Sequence, residues 1–258
     1  MKYVETDIAV MGSGLAGLAA AITAAEQGKK VAVFEKRSFQ GGAVSNTPMA
    51  TTAVRDDPEY QDKAFQSIFD YTKYNGDPGV IRTWVNYSSK IPAFLEKLKI
   101  EYLSVVELPL DRIGKERMFA GGFPPAYNIG DYYRLKPRGK GHGAALICLN
   151  GVKKLKELGG EVYLNTPITS ILKENGRVVG AVAYCNNGKE EVQIRCKALI
   201  VYCIRCGLCE DLYPELFYLD TKLDKVCIKY EEIPDHMKDQ AKNAIRDCAV
   251  TAIFAEKQ

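Results

Sequence analysis

A glycine triplet near the N-terminus, in MGSGLAGLAAAITAAEQG, restricts what this chain can fold into more than any other stretch. Thr6 to Met11 read as a mostly apolar strand, and the alanine-rich run after the glycines reads as a helix that stops at Gly28. A second apolar strand, VAVFE, ends at Glu35. The result is a βαβ unit with Gly12, Gly14 and Gly17 in the G-x-G-x-x-G positions and an acid closing the second strand. Gly12 permits a tight turn, Gly14 lets backbone approach a pyrophosphate, and Gly17 lets helix and strand pack closely. The helix N-terminus offers N–H groups to the phosphates, and Glu35 is an acceptor for ribose hydroxyls. The competing reading is a glycine-rich turn in an ordinary α/β protein.

With 258 residues and 47% apolar content, the chain has room for one large domain or two modest ones. A net charge of +3, from 35 basic and 32 acidic residues, is too balanced to imply a nucleic-acid surface or an acidic partner. MKYVETDIAVMG has no apolar stretch of signal-peptide type, and no run approaches the roughly 20 residues of a membrane span. A cytoplasmic protein without a membrane span is expected.

Beyond Glu35, SFQGGAVSN holds a second glycine pair, and Pro58 to Lys99 shows apolar residues three and four apart, as amphipathic helices require. Trp84 and the tyrosines there are read as packing residues. Glu101 to Tyr133 reads as irregular, and RLKPRGKGHG as a solvated basic run or an anion contact before the helix AALICLNGVKKLKEL. EVYLN, ITSILKE and RVVGAVAY follow as strands, the last two joined at Asn175-Gly176, and EVQIRCKALIVY adds one or two more. Then three cysteines come at two-residue spacing, Cys203, Cys206 and Cys209, with Tyr213-Pro214 where a fourth might stand. In a reducing compartment such spacing favours metal over disulfides, and zinc is disfavoured because His142 and His236 are unsuitably placed. Cys148 and Cys185 read as buried structural thiols.

Roughly the first two hundred residues resemble the flavoprotein subunits of fumarate reductases and succinate dehydrogenases. The residues that carry this are DIAVMGSGLAGLAAAITAAEQGKKVAVFEK, QGGAVSNTPMA, the helix after GKGHG, and EVYLNTPITSILKENGRVVGAVAY ahead of KALIV. The resemblance implies FAD, with adenosine contacts from Glu35, Lys36 and the backbone near Ile168. It implies isoalloxazine contacts from the loop of Gly41, Gly42, Ser45 and Asn46. QGGAVSN lacks the histidine that some members bond to FAD, so the implied flavin is dissociable. Where the family continues from KALIV into a capping domain with a catalytic arginine, this sequence runs into the cysteine loop. No catalytic residue is assigned, and fumarate or succinate turnover is not expected.

From about Lys197 onward the chain resembles a bacterial single-cluster ferredoxin. In two-cluster ferredoxins the fourth cysteine of C-x2-C-x2-C-x3-C-P ligates the other cluster. The resemblance therefore implies that Tyr213 removes a second cluster, not the first. It places the remote ligand at Cys248, after the helix PDHMKDQAKNAIRDC and ahead of the strand-like AVTAIF. ELFYLD and KVCIKY read as strands between them. The implied [4Fe-4S] ligands are Cys203, Cys206, Cys209 and Cys248.

The expected fold is α/β: an incomplete Rossmann-like FAD-binding domain over residues 1–200, lacking capping and closing segments, followed by a small α+β ferredoxin-like domain over 201–258. Three functions remain open. They are a redox protein coupling non-covalent FAD to one [4Fe-4S] cluster, serving an unspecified redox partner; a one-cluster electron carrier with a vestigial flavoprotein half; and a truncated or recombined reading frame with no independent function.

Overall fold

The computed structural model describes residues 1–42, 44, 50–74, 76–115, 128–136, 144–201, 208–220, 225–248, 253 and 255–256. It divides into two compact units: Met1–Val44 with Gly151–Gln258, and Ser45–Asn150.

The first unit opens with β1 (Lys2–Glu5), β2 (Ile8–Met11), α1 (Leu15–Glu26) and β3 (Val31–Phe34). The βαβ reading holds: β2 and β3 pair in parallel from Ile8↔Val31 to Met11↔Phe34, with α1 between them. All four residues of β3 are buried, as a strand covered on both faces requires.

The second unit contains β4 (Ala50–Ala53), α2 (Pro58–Tyr71), α3 (Pro78–Ser88), α4 (Ile91–Lys97), β5 (Tyr102–Val106) and β6 (Asp131–Leu135). Asp57 and Asp77 cap α2 and α3 by accepting from the Tyr60 and Val80 amides at 2.8 Å, and each is followed by a proline at the first helical position. The strands form an antiparallel sheet in the order β4-β6-β5. The expectation of an irregular Glu101–Tyr133 is thus corrected at both ends. β5 carries Leu103, Val105 and Val106 exposed, so it has none of the in–out alternation by which a strand is read.

Trp84 is also corrected: it is 37% exposed, and Tyr87 is 59% exposed. Val85 and Ser88 take the buried side of α3, which turns Trp84 and Tyr87 toward a shallow apolar groove with Val80 and Ile91. Tyr60 is buried, and its hydroxyl donates to the Leu108 carbonyl at 2.8 Å. Burial pushes its pKa up to about 12. Because the folded value lies above the ordinary tyrosine value of 10.0, the stability it contributes is complete below pH 10 and lost as pH rises toward 12. Denaturant unfolding across that window should show the loss, and Tyr60→Phe should flatten it.

The division between the units falls within α5 (Ala144–Glu157). The first unit then resumes with β7 (Glu161–Tyr163), β8 (Ile168–Glu174), β9 (Arg177–Cys185), β10 (Glu190–Arg195) and β11 (Ala198–Ile200). The hairpin between β8 and β9 turns on Asn175 and Gly176, with φ of 50° and 74°, both in the left-handed region that two-residue hairpin turns require. Last come α6 (Leu208–Leu212), β12 (Phe217–Asp220), β13 (Lys225–Ile228), α7 (Lys238–Asp247) and β14 (Ala255–Glu256).

Two sheets organise this unit: a parallel one in the order β11-β2-β3-β7 and a mixed one in the order β1-β10-β9-β8-β14. One apolar core draws on both, joining Ala9, Met11, Ala32 and Phe34 to Ile168, Ala181, Ala183 and Ile194. β12 and β13 pair antiparallel as a separate two-stranded sheet whose Phe217 packs with Leu216, Met237 and Ala244. Strand-like AVTAIF lies mostly outside the described residues. The pairing seen is Ala255 and Glu256 against Ser170 and Ile171, which lays the C-terminal segment along β8. Cys148 is buried as expected; Cys185 is only half-buried, its thiol 3.4 Å from a Glu190 carboxylate oxygen.

Candidate cofactor-binding site

The glycine turn takes the geometry its sequence requires. Gly12 has φ of 94°, which a side chain would strain, and its amide donates to the Phe34 carbonyl at 2.7 Å, tying the turn to the end of β3. Gly14 is the N-cap of α1, with extended backbone, no side-chain cap and no acid in the first turn. That end of the helix presents amide groups and has no acidic residue in its own first turn, so it suits a pyrophosphate. Gly17 is buried in α1. Farther along the helix, Leu18 and Ile22 meet Gly151 of α5, where an added Cβ would lie 3.4 Å from Leu18.

Glu35 is 5% exposed, and its carboxylate is fixed from two sides. One oxygen accepts from the Ser13 amide and the Ser13 hydroxyl, both at 2.8 Å; the other accepts from the Arg37 amide at 2.9 Å. The sequence marks Ser13 only as the variable residue between two glycines, yet it is the group that anchors the acid against the turn. The backbone of Glu35 also pairs with the 163–166 segment: its amide donates to Tyr163 and its carbonyl accepts from Thr166, each at 2.8 Å. Ile168, two residues on, is buried in β8 beside Phe34 in the shared core. Gly41 donates to the Ser13 carbonyl at 3.1 Å, which brings the second glycine pair to the first turn. Gly41 and Gly42 both have positive φ, 105° and 52°. Ser45 and Asn46 lie outside the described residues. Glu35, Gly12, Gly14 and Gly41 thus converge around Ser13, and this buried acceptor beside an uncapped helix N-terminus fits the ribose and pyrophosphate of FAD.

Lys36 does something the sequence does not suggest. It is half-buried, and its ammonium donates to the Cys248 carbonyl at 2.6 Å, across 212 residues of sequence. Burial lowers its pKa from the ordinary lysine value, opposed by the electrostatic influence of Cys248 and, less strongly, of Glu35.

Of the cysteines assigned to the cluster, Cys209 and Cys248 are described, both half-buried; Cys203 and Cys206 lie outside the described residues. Cys209 sits in α6, and its carbonyl accepts from the Tyr213 amide at 3.0 Å. The Tyr213 hydroxyl donates to Asp247 at 2.5 Å, and Cys248 follows as the C-cap of α7. That hydrogen bond raises the Tyr213 pKa and helps hold Asp247 low, though Arg246 is the larger cause at Asp247. Tyr213, in the place of a fourth cysteine, therefore links the cysteine loop to the turn of the remote cysteine. Soft thiolates at helix ends are the donor type an iron–sulfur cluster takes, so the two described ligands fit. Cys227 is a strand thiol on β13, opposite and in contact with Tyr218.

These features define a redox flavoprotein with an iron–sulfur module, and the comparisons agree. Residues 7–227 match the FAD binding domain family, and the chain belongs to it. Residues 201–254 match the 4Fe-4S single cluster domain of Ferredoxin I. FAD and a [4Fe-4S] cluster are the cofactors these domains indicate. Over 114 residues the chain is 32% identical to a vinyl phenol reductase of Lactiplantibacillus plantarum, covering 40% of this chain and 22% of that protein.

Among solved structures, it resembles a 3-ketosteroid-delta4-(5alpha)-dehydrogenase from Rhodococcus jostii RHA1, with TM-score 0.62 and 18% identity, over 83% of this chain and 49% of that one. A flavocytochrome c3 fumarate reductase in its open conformation gives TM-score 0.61 and 18% identity, over 83% and 36%. Mycobacterium smegmatis Sdh1 gives 0.57 and 21%, over 77% and 34%. The chain thus spans half or less of the length of these relatives, and at such identities they show a shared fold. Among the described residues, no helix is long and apolar enough to cross a membrane.

Proposed function

We propose that this polypeptide is an electron-transfer flavoprotein. Residues 1–200 hold FAD without a covalent bond, and residues 201–258 hold one [4Fe-4S] cluster through Cys203, Cys206, Cys209 and Cys248. The observation that carries the reading is the path from Cys209 through Tyr213 and Asp247 to Cys248, which supports a common site for the loop and the remote cysteine. FAD, when bound, supplies a two-electron acceptor that can pass electrons on singly, and a [4Fe-4S] centre takes them one at a time.

The chain's own residues bind and orient. Gly12 and Gly14 shape the turn for a pyrophosphate, Glu35 accepts from ribose, and Gly41, Gly42, Ser45 and Asn46 form the loop assigned to the ring system, with Lys36 and the backbone at Ile168 beside the adenosine. No nucleic-acid partner is proposed.

Protein purified without oxygen should contain FAD, four irons and four sulfides per chain, and show a structured flavin absorbance over a broad brown band. Iron and sulfide without flavin would favour the one-cluster carrier. Colourless, aggregating protein would sink both readings.

A further inference from the structure

We propose that Lys36 is a positioning residue that joins the two cofactor sites, its ammonium holding the backbone of Cys248 and raising the reduction potential of the cluster ligated there. The inference rests on Cys248 being the remote ligand. Lys36 immediately follows Glu35, whose carboxylate is locked to the glycine turn through Ser13. Rigid placement of Glu35 therefore fixes where the Lys36 side chain starts, and the 2.6 Å hydrogen bond fixes where it ends. The groups that act electrostatically on this ammonium are Cys248, Arg37, Glu35 and Asp247. Arg37 and the backbone at Lys36 belong to the nucleotide side; Asp247 and Cys248 belong to the cluster side. The ammonium stands where the two meet.

The physical consequence follows from charge. One-electron reduction adds one negative charge to a cluster, with no bond formed or broken, and a cation nearby stabilises that added charge. In a half-buried setting the interaction is screened far less than in water. Charge and hydrogen bonds near the ligands are among the means by which proteins set cluster potentials. Tyr213 holds the same turn as a neutral group, through Asp247. The two contacts separate charge from geometry.

The experiment uses anaerobically purified full chain, stripped of FAD by dialysis so that any direct effect of Lys36 on the nucleotide is removed. Midpoint potentials are read by electron paramagnetic resonance during titration with dithionite. Lys36→Met should keep the iron content and show a clearly lower potential. Lys36→Arg should restore most of the wild-type value, and Tyr213→Phe should shift it less than Lys36→Met. An unchanged potential in Lys36→Met would overturn the proposal. So would an equal fall in Tyr213→Phe, which would assign the effect to loosened geometry. Cys248→Ser in the same series keeps the two levels of inference apart. A wild-type signal in that variant removes Cys248 from the ligand set, whereas an altered signal with an unchanged Lys36→Met potential removes only the role of Lys36.

Discussion

Cys248→Ser is expected to convert the four-iron centre to a three-iron or oxygen-labile one, whereas Cys227→Ser should leave it intact. Both cysteines are half-buried and either spacing could in principle supply a fourth thiolate, so the choice rests on how each is held. Cys248 caps α7, its amide bonded to the Ala244 carbonyl at 3.0 Å. The preceding Asp247 accepts from Tyr213, and the Cys248 carbonyl accepts from Lys36. These three fixed points hold the backbone that carries the Cys248 thiol. Cys227 lies inside β13, opposite Tyr218 in an antiparallel pair and in contact with its hydroxyl. To ligate iron it would have to leave that contact. Serine offers iron a hard oxygen in place of a soft thiolate, so the fourth iron is the one lost. Iron and sulfide analysis with electron paramagnetic resonance checks the pair, and a wild-type signal in Cys248→Ser together with its loss in Cys227→Ser would reverse the assignment. Tyr213→Cys should add no second cluster, because the 258 residues contain no other cysteine triplet for it to join.

What could be read from the sequence is what short-range pattern specifies. The turn at Gly12, the apolar strand ending at Glu35, the Asn175-Gly176 hairpin and the helix delivering Cys248 each lie within a few residues of their own signal. The α2 and α3 starts announce themselves as Asp-Pro. What escaped has long-range causes. β1 is four residues with only Val4 buried, and it is a strand because β10, about 190 residues later, offers an edge at Lys2↔Val192. β5 is held by β6 and faces outward, so its composition carries no periodic mark. Trp84 was assigned to packing on residue type alone, yet Val85 is the residue that points inward.

The same division runs through the site. The glycines and the acid declare themselves by spacing. Ser13 does not, because a serine between glycines has many uses, and it matters here through one carboxylate brought to it by β3. The resemblance assigns Lys36 to adenosine, and its observed partner is a carbonyl 212 residues away that no local pattern reveals. Tyr213 was legible as a missing cysteine, but its hydrogen bond to Asp247 depends on how α7 packs against Leu216 and Phe217 through Met237 and Ala244.

Gly14→Val should abolish FAD retention while leaving the fold and the cluster in place. Gly14 has φ of −67° and ψ of 175°, extended backbone that valine adopts without strain, so the substitution acts through the volume of the side chain. That volume lies at the N-terminus of α1, where the backbone must come close to the pyrophosphate. Gly12→Val is the contrasting variant. At φ of 94° any side chain is strained, at a cost of roughly 1–2 kcal/mol, and it should lower stability as well as flavin content. Glu35→Gln should be milder than Gly14→Val. It exchanges a charged acceptor, worth about 1.5–3 kcal/mol to a ribose hydrogen bond, for a neutral one worth about 0.5–1.5, so FAD Kd should rise roughly tenfold. Part of that loss should also appear as reduced stability of the FAD-free protein, because the carboxylate accepts from Ser13 and Arg37 in the folded chain. Flavin per chain and FAD titration by fluorescence quenching give the binding side, and thermal unfolding of FAD-free protein gives the folding side. If Gly14→Val binds FAD as wild type does, the turn around Ser13 is not a dinucleotide site, and the flavin half of the proposed electron path has no place to begin.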